Sequence, residues 1–190
     1  MQTDEVWQRF TRTGALLKGH FILSSGLHST RYLQCALVLK HPQEAAPLGA
    51  ALAAHWREAQ IETVAAPAIG GLIIGYETAR ALNAPFIWTE RENGEMTLRR
   101  GFTVRPGERI LVVEDVVTTG GSTRETIAAL TAAGAQVVGA ASLIDRSAGQ
   151  AEVGAPRLAL ATLDVPSFAP DVCPECARGV TAVKPGSRKA

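Results

Sequence analysis

Hydrophobic and polar positions change rhythm along this chain, and each change marks an element. From Asp4 to Thr13, Val6, Trp7 and Phe10 recur among polar residues, the pattern of a short amphipathic helix. Gly19 to Leu39 reads as strand-rich, with turns expected around Ser25-Gly26 and His28-Ser29. Pro42 opens a helix in which Leu48, Leu52, His55 and Trp56 fall at helical spacing. Val64 to Ala66 is a short strand, Pro67 to Gly71 a turn, Leu72 to Leu82 a helix and Pro85 to Thr89 a further strand. Ile110 to Val113 is apolar without alternation, as in a strand covered on both faces. After it, Ser122 to Glu125 has capping-box spacing, Ile127, Leu130 and Ala133 form a helical stripe, and Gly134 sits where a C′ glycine belongs. Ala135 to Ile144 is a second apolar run. Strand, loop, helix and strand in that order imply parallel strands and an α/β fold.

The chemistry concentrates in Arg109 to Thr123. The apolar strand ends in two carboxylates, Glu114 and Asp115. Val116 and Val117 follow, and then Thr118, Thr119, Gly120, Gly121, Ser122 and Thr123 lead into the helix. Adjacent carboxylates accept hydrogen bonds from vicinal hydroxyls. A hydroxyl- and glycine-rich loop at a helix N-terminus offers backbone N–H groups and a positive dipole end to an anion. The unit therefore suits a ligand that carries both a sugar diol and a phosphate. In open α/β sheets such ligands bind at the carboxyl ends of strands. Neither Gly-x-x-x-x-Gly-Lys-Ser/Thr nor Gly-x-Gly-x-x-Gly occurs, which removes the main support for ATPase and dinucleotide readings.

Composition changes this picture little. The chain has 190 residues and a net charge of +1, enough length for one core and no field for nucleic acid or membrane. No apolar run approaches a membrane span, and Met1 to Trp7 carries early acids rather than a signal core, so a cytoplasmic protein is expected. Cys35 stands alone. Cys173-Pro-Glu-Cys176 has metal-ligand spacing, but no second Cys/His pair follows within the usual distance, so it reads as two thiols in a tight turn.

Two further segments lie beside the main motif. Pro67-Ala68-Ile69-Gly70-Gly71 follows a strand and opens a helix, and its glycines let backbone approach a ligand. Glu90 to Gly101 has a hairpin signal at Asn93-Gly94 with charged flanks. Its cations are Arg91, Arg99 and Arg100, which can grip phosphate but cannot lose a proton. On sequence alone each segment is equally an ordinary turn or a solvated hairpin.

The stretch from Arg109 to Thr123 resembles the phosphoribosyl-pyrophosphate (PRPP) motif of type I phosphoribosyltransferases. The resemblance implies that fold: a central, mostly parallel sheet flanked by helices, with a small hood from the N- and C-terminal segments. It places the whole chain in one domain over 1–190, with the hood at about 15–40 plus 150–185 and the core at about 41–149. Glu114 and Asp115 would face the ribose 2′ and 3′ hydroxyls, and Thr118 to Thr123 would hold the 5′-phosphate. Ile69, Gly70 and Gly71 would meet pyrophosphate through backbone groups, since many relatives carry a lysine where Gly70 stands. Arg91, Arg99 and Arg100 occupy a mobile catalytic loop that often reaches into a partner subunit. That loop has neither lysine nor histidine here, so charge stabilisation is its expected role.

Gly19 to Gln34 resembles the hood of the orotate branch, matching at Phe21, Leu23, Ser25, Gly26, Ser29, Tyr32 and Gln34, with Ser24 where a lysine is common. Val172 to Arg188 resembles the C-terminal segment of one bacterial group of that branch, which packs with the hood. Asp145-Arg146 matches a pair whose arginine binds the orotate carboxylate, and a guanidinium suits that role. An ion pair between Arg146 and Asp145 or another acid is the bland alternative. The resemblance thus implies a Mg²⁺-dependent homodimer using PRPP and orotate. Orotate contacts would come from Thr118, Arg146, Ser25, Gly26 and Tyr32, and Mg²⁺ would be held mainly by PRPP. His20, His28, His41 and His55 receive no catalytic role. A purine-type phosphoribosyltransferase would need neither the hood nor Arg146. A PRPP-sensing regulator would usually add a DNA-binding domain.

Overall fold

The computed structural model describes residues 1–23 and 25–185, so Ser24 and the tail from Gly186, including Arg188, lie outside the described residues. Two sheets organise it. The larger has six strands in the order β5-β4-β3-β6-β7-β8: β3 (Thr63–Pro67), β4 (Phe86–Glu92), β5 (Glu95–Leu98), β6 (Arg109–Val117), β7 (Gln136–Asp145) and β8 (Arg157–Thr162). All neighbours are parallel except the β4–β5 hairpin. The smaller is antiparallel, in the order β1 (Leu16–Ile22), β2 (His28–Leu33) and β9 (Ser167–Phe168).

The unbroken apolar run of β6 has the burial it predicts. Leu111 and Val113 point into a core formed with α1 (Thr3–Arg12), α2 (Cys35–Leu39), α3 (Pro42–Ala54) and α4 (Gly71–Leu82), whose contributors include Val6, Phe10, Leu48, Leu52 and Ile74. Ile110 and Val112 point to the opposite face, where Ile127 and Leu130 of α5 (Gly121–Ala132) cover them. Burying each such side chain stabilises the fold by about 1.5–3 kcal/mol before chain entropy is subtracted. Glu44 ties α3 to α1 by accepting from Arg9 at 2.6 Å and from Arg12 at 2.8 and 2.5 Å.

Several expectations need correction. β6 does not end at the carboxylates but runs through them to Val117, because Glu114 and Val116 stay in register with Ser142 and Ile144 of β7. The helix after it is capped by Gly120 in a left-handed conformation (φ +74°) with no side-chain cap, so Ser122 to Glu125 is not a capping box. His28-Ser29 is the start of β2, not a turn. Cys35 to Leu39 is helical rather than extended. The expected hood segment 150–185 is divided, since Arg157–Thr162 is the edge strand of the large sheet. Gly134, at φ +100°, does follow α5 as a C′ glycine, with Ala135 N–H donating to the Leu130 carbonyl at 3.0 Å.

Candidate active site

Strand order places the site. From β3 the chain moves outward to β4, whereas from β6 it moves the other way to β7, so the switch point of the sheet lies between β3 and β6. Two glycine turns leave the carboxyl ends of those strands: Ala68 to Gly71 into α4, and Thr118 to Gly121 into α5. The first turns of both helices therefore point N–H groups without intrahelical acceptors at one crevice.

Glu114 and Asp115 line this crevice between the two turns. A Cβ on Gly70 would stand 2.8 Å from Asp115 Oδ1, and one on Gly71 would stand 2.8 Å from the Val113 carbonyl. Glycine at 70 is therefore what lets the first turn lie against the second motif's carboxylate. A lysine there would collide with Asp115 as it stands, which gives a local reason for the departure from the common pattern. Ile69 beside it is 84% exposed, and its peptide bond to Ala68 is cis.

The acid pair is electrostatically unrelieved. Glu114 is 8% exposed, and its carboxyl is pushed well up from its ordinary range, first by burial and then by the Asp115 charge. Burial also raises Asp115, although hydrogen bonds with Glu114 and from the Val116 N–H pull the other way. The Cys35 thiol, at the start of α2, lies beside Asp115, and burial followed by the two acids drives its own pKa well up. Sequence reasoning missed Cys35, since only the fold brings it here. No arginine or lysine pairs with Glu114 or Asp115 among the described residues. Such a site accepts hydroxyl donors and favours positive charge.

The expected phosphate loop divides between backbone and side-chain roles. Thr118, Thr119 and Ser122 are exposed and able to donate hydroxyls. Thr123 is buried, as is Val117, and Val116 is half-buried against the core, so these three offer backbone groups only. Gly120 is held against Val153, where a Cβ would approach the Val153 methyl to 2.8 Å.

Arg146 and Asp145 do not pair. Asp145 accepts from Ser147 N–H at 2.7 Å, Ser147 Oγ at 2.6 Å, Gly149 N–H at 3.0 Å and Arg157 Nη1 at 2.9 Å. Burial alone would raise its pKa, but these bonds outweigh it and hold the carboxyl low. Asp145 is therefore the organiser of its loop, and Arg157, absent from the sequence reading, is its partner. Arg146 is half-buried with no side-chain hydrogen bond or ion pair among the described residues. Burial lowers its pKa, and the nearby Tyr32 phenol opposes that effect. Tyr32 itself packs against Phe21, with ring centroids 5.8 Å apart. Ser25 and Gly26 form the exposed turn between β1 and β2, closed by the Gly26 N–H donating to the Leu23 carbonyl at 2.9 Å.

The arginine segment forms the hairpin that the Asn93-Gly94 signal predicts. Asn93 and Gly94 turn it with positive φ values of 51° and 94°. All three arginines have partners. Arg91 pairs with Glu125, Arg99 with Glu92 at 3.3 Å, and Arg100 with Glu90 at 2.5 Å. Arg100, and then the Trp88 indole, hold the Glu90 carboxyl below its usual range.

Known proteins resemble this chain over most of its length. Residues 37–173 match the family described as phosphoribosyl transferase domain. The chain is 54% identical over 189 residues to "Orotate phosphoribosyltransferase" of Pelotomaculum thermopropionicum, covering 100% of both chains. It is 52% identical over 177 residues to the protein of that name in Thermotoga maritima, covering 93% of this chain and 95% of the relative. Among solved structures, orotate phosphoribosyltransferase from Aeropyrum pernix superposes with a TM-score of 0.67 at 27% identity, covering 82% of this chain and 92% of the other. Adenine phosphoribosyltransferase from Rhodothermus marinus shares the fold at a TM-score of 0.64 and 22% identity, with 84% and 99% covered.

Proposed function

The chain belongs to the phosphoribosyltransferase family and, within it, to the orotate phosphoribosyltransferases, and from that premise we propose how its residues carry the reaction. The enzyme transfers phosphoribosyl from PRPP to N1 of orotate, giving orotidine 5′-phosphate and pyrophosphate for pyrimidine synthesis. The observation that carries the residue assignment is the unneutralised pair Glu114 and Asp115 between two glycine turns at the switch point. The ribose 2′ and 3′ hydroxyls donate to these carboxylates. As the anomeric carbon becomes oxocarbenium-like, the carboxylates stabilise its positive charge. The 5′-phosphate takes the N–H groups of Gly120 to Thr123 and the hydroxyls of Thr118, Thr119 and Ser122. Pyrophosphate takes the N–H groups at Ile69, Gly70 and Gly71.

Orotate is bound by Arg146. Its guanidinium is half-buried and unpaired among the described residues, a state that matches a carboxylate ligand and gives a neutral purine nothing comparable. Thr118 at the loop and Tyr32, Ser25 and Gly26 on the hood complete that side. The donor set also fits a hard cation carried mostly by the substrate, because two adjacent carboxyls, both raised first by burial and with no arginine or lysine on either among the described residues, are a place where positive charge is lacking. With PRPP bound, Mg²⁺ would neutralise charge on the leaving pyrophosphate. Arg91, Arg99 and Arg100 supply further positive charge once they exchange their acidic partners for pyrophosphate. A homodimer in which the hairpin serves the partner's site is consistent with its place beyond the end of the parallel strands.

An ultraviolet assay of orotate with PRPP and Mg²⁺, run beside adenine, guanine and uracil, tests the assignment. Loss of orotate absorbance that requires both additions is expected. Turnover of a purine instead of orotate would overturn the role given to Arg146.

A further inference from the structure

Away from the crevice, four side chains from both ends of the chain converge. His20 is on β1, His28 begins β2, and Cys173 and Cys176 bracket the start of the one-turn helix α6 (Pro174–Ala177). Their Nε2, Nδ1 and two Sγ atoms lie within 4.8 Å of one another. His20 Nε2 is 2.8 Å from His28 Nδ1 and 3.4 Å from Cys173 Sγ, while Cys176 Sγ is 3.3 Å from His28 Nδ1 and 3.8 Å from His20 Nε2. His20, His28 and Cys173 are 4%, 7% and 3% exposed, and Cys176 is open to solvent.

We propose that these four residues form a structural zinc site that fastens the C-terminal segment to the β1–β2 hairpin. A zinc tetrahedron with bonds of about 2.3 Å to sulfur and about 2.0 Å to nitrogen separates N from S by about 3.5 Å and N from N by about 3.3 Å. Three of the four sulfur–nitrogen pairs, at 3.3, 3.4 and 3.8 Å, already bracket that value. The imidazoles must part by about half an ångström to admit the ion. The tautomer is also set. The Val180 carbonyl can only accept, so His20 Nδ1 carries the proton it donates there at 2.7 Å, and Nε2 faces the cluster with its lone pair. Two thiolates and two imidazoles select zinc over Mg²⁺, which prefers oxygen ligands, so this site does not compete with the substrate-borne cation.

The position explains what the ion does. The C-terminal segment is held to the hairpin by few backbone bonds: the two-residue β9 beside β2, and Val183, whose N–H donates to the His20 carbonyl at 2.9 Å and whose carbonyl accepts from Ile22 N–H at 2.9 Å. A metal spanning residues 20, 28, 173 and 176 closes a very long loop and adds its binding energy to folding of this small sheet.

The test is metal analysis of the untagged full-length chain, grown with zinc, reduced and desalted into Mg²⁺ buffer. One zinc per chain is expected, together with intense visible bands of tetrahedral thiolate coordination when Co²⁺ replaces it. Stoichiometric zinc should be lost in Cys173→Ala and Cys176→Ala, and chelation of the wild-type chain should lower its thermal midpoint. Should the variants fail to fold, the wild-type Co²⁺ spectrum decides. Substoichiometric zinc with no tetrahedral Co²⁺ spectrum, or full zinc retention in the double cysteine variant, would overturn the site. None of these readouts depends on turnover, so they stand apart from the orotate assignment.

Discussion

The acid pair and the arginine hairpin lie near the same end of the sheet and treat charge in opposite ways. Glu114 and Asp115 are adjacent acids, the first buried and the second half-buried, with no arginine or lysine on either among the described residues. Arg91, Arg99 and Arg100 are exposed cations, each already matched to a carboxylate of the hairpin or of α5. The first arrangement costs folding energy and is relieved by a ligand. The second costs little and contributes little, since water screens exposed ion pairs and holding two long side chains together costs them entropy. A close group of charges therefore marks a binding site when it is left unrelieved by the fold, and Arg146 follows the acid pair in this respect rather than the other arginines.

The largest effect should come from the pair itself. Asp115→Asn should lower kcat/KM by about 10³-fold, the scale of removing a group aimed at developing charge, while leaving thermal stability level or higher. Normal turnover in that variant would take Asp115 out of the site. Next, Arg146→Ala should raise KM for orotate about 10- to 100-fold, the worth of a hydrogen bond to a charged group, with a smaller change for PRPP. Equal losses for both substrates would move Arg146 from recognition to structure. Arg99→Gln and Arg100→Gln should each lower kcat by about tenfold, because each must first release its acidic partner before it can help. Should all hairpin variants be silent, the contrast becomes absolute and the hairpin is structural.

A pH series without ligand sharpens the same contrast at the smallest scale. Glu114 is raised above 4.5, its ordinary value, so between the unfolded and folded pKa values the native state holds more protons than the unfolded one. Stability from this group is thus present at low pH and falls as pH rises through that window. The lowered carboxyls, Glu44, Glu90 and Asp145, act in the opposite direction and at lower pH, losing stability as pH falls through their folded values. Glu114→Gln should therefore flatten the decline of the thermal midpoint above pH 4.5 and leave the acid limb intact. A wild-type midpoint that climbs steadily with pH would contradict the raised assignment.

The strand, acids and glycines of the crevice were legible because each is local: an apolar run, two carboxylates and a turn within fifteen residues. What stayed hidden needed distance or lacked a periodic signal. The run Cys35 to Leu39 is apolar at every position, so nothing in it separates one helical turn from a strand. β6 continues through Glu114 and Asp115 because its neighbour β7 supplies the ladder, which no pattern within β6 records. Gly120 rather than Ser122 caps α5 because the chain must turn sharply under Val153. Arg157 as the partner of Asp145, Cys35 as the neighbour of Asp115, and His20 and His28 beside Cys173 and Cys176 are all long-range encounters. For the cysteines, the missing second pair of metal ligands lay about 150 residues upstream rather than downstream.

The central contact is Asp115 accepting from a ribose hydroxyl, and a double-mutant cycle between protein and substrate tests it. kcat/KM would be measured for wild type and Asp115→Asn with PRPP and with its 2′-deoxy and 3′-deoxy analogues. Removing the contacted hydroxyl should be costly for wild type and nearly free for Asp115→Asn, so that the two losses do not add. Fully additive losses with both analogues would contradict it.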